Sequence, residues 1–324
     1  MTKRILALDP STYQRHPIHQ EGRTWAETNC YVDVWIELLH ALGYEPVAAL
    51  PFTLTIDFEG DQWTFFKCPL LDMYELYGLD VQELAIWRPL VVHIEEQVER
   101  GRPVLVELDS YYLPDTAGTA YKRAHIKSTV AVTEIDAARH HMGYFHNQGY
   151  HHVGGDDFLD VLRLRGEPDP AALPPYVEFV KIRGGARRGG RSLLQGSLRL
   201  LRRHLELVPT ENPFLSFKAR FEKDLIWLLE KNLEAFHQYS FATLRQYGAC
   251  FELSQTYLHW LVAQGEGELD EEIRVFREIS EGAKTLQFQL ARAMNRRKPL
   301  DLSPLDAMAE RWQRGTTGLK TRYL

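Results

Sequence analysis

Between Glu27 and Gly43 the apolar residues fall at Tyr31, Val34, Trp35, Leu38, Leu39 and Leu42. This i, i+3, i+4, i+7 recurrence predicts a helix with one buried face. Asn29 is placed to cap its start, because an Asn side chain accepts from the free N–H groups of a first turn. Gly43 is placed to end it, because glycine takes the left-handed conformation at no steric cost. Upstream, Ile5–Leu8 reads as a short strand followed by a polar loop that ends near Trp25. Downstream the period changes. Val47–Phe52 is a continuous apolar segment, and Thr53–Phe58 and Gln62–Phe66 form a hairpin pattern about Glu59-Gly60-Asp61. Leu70–Tyr77 reads as a short helix. Pro89–Arg100 reads as a longer one, with Pro at its first position and an apolar stripe of Leu90, Ile94 and Val98. Pro103–Asp109 and His125–Thr133 are strand-like, the latter rich in β-branched residues. Arg139–Asn147 reads as the strand paired with His125–Thr133 through a turn at Ile135–Ala138, and Gln148-Gly149 breaks it. Asp156–Leu164 reads as a short helix and Val177–Ile182 as a last strand. A helix followed by strands joined through hairpins predicts an α+β domain with an antiparallel sheet over residues 1–182. No glycine-rich phosphate loop follows a strand.

From Phe214 to about Asn295 the pattern is helical throughout. Leu215, Phe217, Phe221, Leu225, Leu228 and Leu229 recur at helical spacing, as do Leu244, Tyr247, Phe251, Leu258 and Leu261, and then Ile273, Phe276, Ile279 and Leu286. Short breaks such as Gly265-Glu266-Gly267 predict an antiparallel bundle over 204–324, with Pro299 ending the last long helix and at most one short helix after it. Between the two lies 183–203, where Gly184-Gly185 and Gly189-Gly190 flank Arg187-Arg188. The stretch 181–203 holds Lys181, Arg183, Arg191, Arg199, Arg202 and Arg203 and no acidic residue. It reads as a flexible basic linker, or as a dock for an acidic partner at Arg187, Arg188 and Arg191. A length of 324 residues fits two domains. A net charge of −6 makes no general case for nucleic acid, and no apolar run is long enough to span a bilayer. The three cysteines are scattered, which points to reduced thiols in the cytoplasm rather than a disulfide framework.

Candidate chemistry begins at Cys30, the first residue of the predicted helix. Free N–H groups and the helix dipole favour a thiolate there, a common way to place a thiol nucleophile. The alternative is a small buried apolar residue. A thiol needs a base and a group to orient that base. His125 opens a strand, and His146 and Asn147 lie on the next one. They point to opposite faces, so only one can support His125. Asn147 is chosen because a neutral amide holds an imidazole tautomer without being protonated itself, and Asp136 in the turn is a weaker choice. His16 and His19 in the first loop, and the group His140, His141, His146, His151 and His152, are the competing metal reading, but no spacing joins them to a recognisable ligand set. No cofactor is expected.

The run Pro103-Val104-Leu105-Val106-Glu107-Leu108-Asp109-Ser110-Tyr111-Tyr112-Leu113-Pro114, followed by Tyr121-Lys122-Arg123-Ala124-His125 heading a strand, resembles the N-terminal domain of the butirosin-biosynthesis type of acyltransferase. That family is papain-like, with a Cys at an early helix start and a helical domain after the sheet. The whole chain, with its Glu27-Thr28-Asn29-Cys30-Tyr31-Val32-Asp33 stretch, also resembles a bacterial domain-of-unknown-function family. The first resemblance implies transfer of an acyl or aminoacyl group from a carrier-protein thioester, through Cys30, to a small amine. Cys30 is then the nucleophile, His125 the base and Asn147 the third member. The chain departs from that pattern in carrying Asp115 after Leu113-Pro114 and no Gln shortly before Cys30. The Cys30 N–H and Asn29 or Thr28 are left as oxyanion donors. The alternatives are a cysteine hydrolase acting on a peptide, amide or thioester, and a non-catalytic binding protein on the same fold.

Overall fold

The computed structural model describes residues 2–20, 22–26, 28–166, 173–183 and 189–324. Contacts between Cα atoms divide the chain into two units that do not follow its order. The first comprises Met1–Gln20, Asn29–Pro46 and Pro69–Arg188, and the second Glu21–Thr28, Val47–Cys68 and Gly189–Leu324.

The first unit is α+β. Its strands are β1 (Lys3–Arg4), β2 (Leu79–Glu83), β3 (Val104–Asp109), β4 (Lys127–Asp136), β5 (His141–His146), β6 (Gly149–Gly154) and β7 (Val177–Ile182). They form one antiparallel sheet in the order β2-β7-β3-β4-β5-β6, with β1 pairing on β4. Its helices are α1 (Cys30–Ala41), α2 (Leu70–Tyr77), α3 (Leu90–Glu99) and α4 (Gly155–Val161). Alternation along the strands gives the sheet two distinct faces. On one, Val104, Val106 and Leu108 join Val130, Val132, Met142 and Tyr144 in a core with Ile94 and Val98 of α3 and Phe158 of α4. The other is crossed by α1. There the Tyr31 hydroxyl donates to Glu178 of β7 at 3.0 Å. Near the other end of the helix, Tyr13 donates to Glu37 and packs edge-on against Phe145 of β5 with ring centroids 5.5 Å apart.

Several elements differ from the sequence expectation. The first strand is Lys3–Arg4 rather than Ile5–Leu8, because it is the backbone around Lys3, Arg4 and Ile5 that pairs with β4. Residues Pro46–Thr55 form 3-10 turns instead of extended runs. Pro51 interrupts any ladder, and the hydroxyls of Thr53 and Thr55 donate to the carbonyls of Leu50 and Phe52. The consecutive residues Val47 to Leu50 are all buried, as a half-buried strand would not allow. Of the expected hairpin only a bridge between Phe58 and Trp63 remains. Strands β2 and β6 were not expected. Gln148-Gly149 does not end the sheet: Asn147 and Gln148 make a two-residue turn between β5 and β6, with Asn147 at φ 48°.

The second unit is helical, with α5 (Gly190–Glu206), α6 (Pro213–Leu228), α7 (Leu233–Ser240), α8 (Gln246–Ala263), α9 (Asp270–Arg296) and α10 (Pro304–Tyr323). The basic stretch is therefore helical from Gly190 onward and not a linker to residue 203. Its apolar residues Leu193, Leu200 and Leu201 are buried, which stabilises the helix despite the glycines at its start. Helix α10 is far longer than the short segment expected after Pro299. Trp63 fills the bundle core, with ring centroids 4.8 Å from Tyr247, 4.9 Å from Phe214 and 5.7 Å from Phe217. Trp25 is likewise built in: its indole donates to Ser280, and its ring lies so close to Gly248 that it leaves no room for a Cβ there.

Candidate functional site

Cys30 opens α1. The side chain of Asn29 accepts from the Val32 N–H at 3.0 Å, so it serves as the N-cap and its carbonyl oxygen is committed to that bond. Such a cap is worth ~1 kcal/mol and fixes the helix start at Cys30. Cys30 is partly exposed, whereas Cys68 and Cys250 are buried. Burial pushes the Cys250 thiol up, and it donates to the carbonyl of Thr53.

His125 lies just before β4, opposite the end of β3. The register pairs Asp109 with Lys127, and alternation puts Asp109 on the same face as Leu105, which pairs with Glu178. That is the face crossed by α1. Asp109 uses both oxygens. Oδ1 accepts from the Tyr111 N–H at 3.0 Å, capping the turn Ser110–Tyr112, and Oδ2 meets Nδ1 of His125 at 2.6 Å. The imidazole stacks on Tyr111 at 4.3 Å between centroids, with 11° between the planes. Lys122 lies over the rings of Tyr111 and Tyr112. With Nδ1 held, Nε2 is the nitrogen available for proton transfer. The His125 side chain is 66% exposed and lines a cleft of about 270 Å³ with Glu107, Asp109, Lys127 and Arg163.

Asn147 is not the orienting group of His125; it occupies the β5–β6 turn. Among the described residues, neither Asn147 nor Cys30 is a hydrogen-bond partner of His125. His146 points to the opposite face, as alternation requires, and there forms a buried chain. Its Nδ1 meets Asp115 at 2.6 Å, its Nε2 meets the Ser128 hydroxyl at 2.6 Å, and Asp115 also accepts from Tyr144. Burial raises the Asp115 carboxyl, but the bonds to His146 and Tyr144 outweigh it and hold the group below its ordinary range. Asp115, the departure from the acyltransferase pattern, thus anchors the turn Pro114–Thr116 to the sheet. Asp136 instead caps the turn Ala137–Arg139 and accepts from Thr2. The roles of Asp109 and Asp115 escaped the sequence reading; that of Asp109 follows only once β3 and β4 are paired in register.

The remaining histidines are dispersed. His19 lies between Asp33 and Glu37 of α1, and His16 Nδ1 accepts from the Ile18 N–H. His140 stacks on Phe158, and His141 packs edge-on against His152. Among the described residues no group of three or more His, Cys, Asp or Glu side chains is arranged to hold a metal ion. In the basic stretch, Arg187 and Arg188 lie outside the described residues, Arg191 is exposed on α5, and Lys181 and Arg183 are both paired with Asp80. None of the described helices is long and apolar enough to cross a membrane.

Comparison with protein families gives two adjoining matches: the DUF1839 N-terminal domain over residues 14–182 and the DUF1839 C-terminal domain over residues 190–321. This agrees with the resemblance to a bacterial domain-of-unknown-function family, while the acyltransferase resemblance finds no support in these comparisons. A search of curated proteins gives no match.

Proposed function

We propose, starting from a chain that belongs to the DUF1839 family, that Cys30, His125 and Asp109 form a papain-like catalytic unit. It moves an acyl or aminoacyl group from a carrier-protein thioester to a small amine. The observation that supports this reading is the His125–Asp109 pair: an exposed imidazole with one nitrogen held by a carboxylate, on the sheet face crossed by the helix that Cys30 opens. Asp109 replaces Asn147 as the orienting group. Nε2 of His125 takes the Cys30 proton as sulfur attacks the thioester carbonyl, and the carrier's thiol leaves with that proton. In the second half the amine attacks the acyl-Cys30 carbonyl and gives its proton to His125. The Cys30 sulfur leaves and is reprotonated. The Cys30 N–H at the helix start supplies one oxyanion donor. The basic stretch of sequence that holds Arg187, Arg188 and Arg191 recruits an acidic carrier protein, since charge complementarity speeds encounter and fades with salt.

Intact-protein mass spectrometry after mixing with a loaded carrier protein tests the reading. The expected result is an acyl adduct on Cys30 that is absent from Cys30→Ala, slow to leave to water and quick to leave to an amine. Its rate of formation falls with salt and when Arg187, Arg188 and Arg191 become Ser. Fast release to water without an amine favours the hydrolase, and no adduct with any loaded carrier favours the binding protein.

A further inference from the structure

Beside the His125 cleft, within the first unit, lies a larger cavity of about 650 Å³. Its walls are mainly apolar: Ile86, Leu90, Leu108, Val161, Leu162 and Leu164 are among them. The cleft and the cavity share Glu107, Leu108, Asp109, Arg163 and Pro175, so the base stands at the rim of the larger space. A volume of this size, apolar with a few polar groups at one end, is what small-molecule sites have in common.

The polar groups at the rim select the ligand's sign. Each described wall carboxylate is already engaged: Glu107 with Lys127 at 2.7 Å, Asp109 with Nδ1 of His125 at 2.6 Å, and Asp160 with Arg165 at 3.3 Å. Among the described wall residues, every carboxylate already has a partner. Arg163 donates from Nη1 to the Leu173 carbonyl at 3.0 Å, and its other N–H groups have no protein partner among the described residues. They suit an oxygen acceptor. We infer that the cavity binds the apolar chain of a medium-length monocarboxylic acyl group, with the carboxyl or thioester oxygen at Arg163 and the carbonyl carbon toward His125. This rests on the acyl-transfer reading only for the direction in which the carbonyl points.

The test is calorimetric binding to the Cys30→Ala protein, which cannot be acylated. The probes are octanoate and acetate, and the octanoyl and acetyl thioesters of N-acetylcysteamine. Each buried methylene is worth roughly a four-fold gain in affinity, so the octanoyl member of each pair should bind at least about a hundred-fold tighter. Tight binding of octanoate identifies the free acid as a sufficient ligand, and tight binding of the thioester alone identifies the activated acyl group. Leu164→Trp and Ile86→Trp, which fill the cavity from different walls, should each remove the preference for octanoyl in variants whose melting temperature is retained. Arg163→Gln should weaken both chain lengths by a similar factor. Equal binding of acetyl and octanoyl probes, or a preference that survives both tryptophans, overturns the assignment. If the octanoyl preference and its loss are observed but the wild-type protein forms no Cys30 adduct, the acyl-transfer reading fails while the cavity assignment stands.

Discussion

At the scale of single residues, the informative comparison is between His125 and His146. Both have Nδ1 held by an aspartate at 2.6 Å, yet His146 is buried with Nε2 on Ser128, while His125 is exposed and its Nε2 has no partner among the described residues. The first arrangement fixes a turn to the sheet, and the second is suited to moving a proton. His125→Ala should therefore lower the rate of acyl-Cys30 formation by ~10²–10⁴, the usual contribution of a general base. Asp109→Asn should lower it less, because an amide oxygen still reaches Nδ1 but orients the ring less firmly than the carboxylate does. Asn147→Ala should leave the rate unchanged. Rapid-quench measurement of the adduct in the three variants checks this, and a loss confined to Asn147→Ala would restore Asn147 as the third member. Cys30 and His125 were visible as candidates because each starts a predicted element. Asp109 was hidden because its partner is sixteen residues away in the chain, brought opposite only by the β3–β4 register.

At the scale of elements, α1 was legible because its apolar spacing and its Asn29 cap agree. The turns over Pro46–Thr55 were not, since an apolar run without period does not distinguish a strand from any other buried backbone. Strand β2 is not legible because Leu79, Val81 and their polar neighbours make too short a pattern, and β6 because Gly149 resembles a terminator. One property of α1 appears only in three dimensions. Glu37 and Asp33, both buried, hold His19 from the 3-10 turn Pro17–His19, and Glu37 also accepts from Tyr13 and the His16 N–H. Burial lowers the His19 pKa, but the two carboxylates outweigh it and the net shift is upward. A raised pKa in the folded state contributes stability that is fully present below the unfolded value of about 6.5 and is lost as pH rises through the folded value. The melting temperature should accordingly fall as pH rises above about 6.5. That slope should flatten in His19→Gln, which leaves the carboxylates without their cation and costs roughly 3–5 kcal/mol. Thermal melts of both proteins between neutral and alkaline pH decide the matter; parallel slopes would remove His19 as the cause.

At the scale of the whole molecule, the sequence suggested two domains in succession, and the packing groups the chain otherwise. The helical unit takes Glu21–Thr28 and Val47–Cys68 from the first quarter of the chain. Trp63 and Trp25, two of the large rings in its core, come from those segments. Cutting the chain near residue 189 should therefore not give two folded halves. The fragment 189–324 lacks both tryptophans and should show the broad, weakly cooperative unfolding of a bundle with a missing core; the complementary fragment should aggregate. Circular dichroism and sedimentation of each fragment check this, and sharp independent melts would contradict it. The same threading has a consequence for biosynthesis. Trp63 leaves the ribosome about 180 residues before Tyr247, the ring it packs on. At ordinary elongation rates that is an interval of roughly 10–40 s. Through it, the apolar residues of 47–66 must wait for helices that are still to be made, and the nascent chain becomes a natural client for chaperones that shield hydrophobic segments.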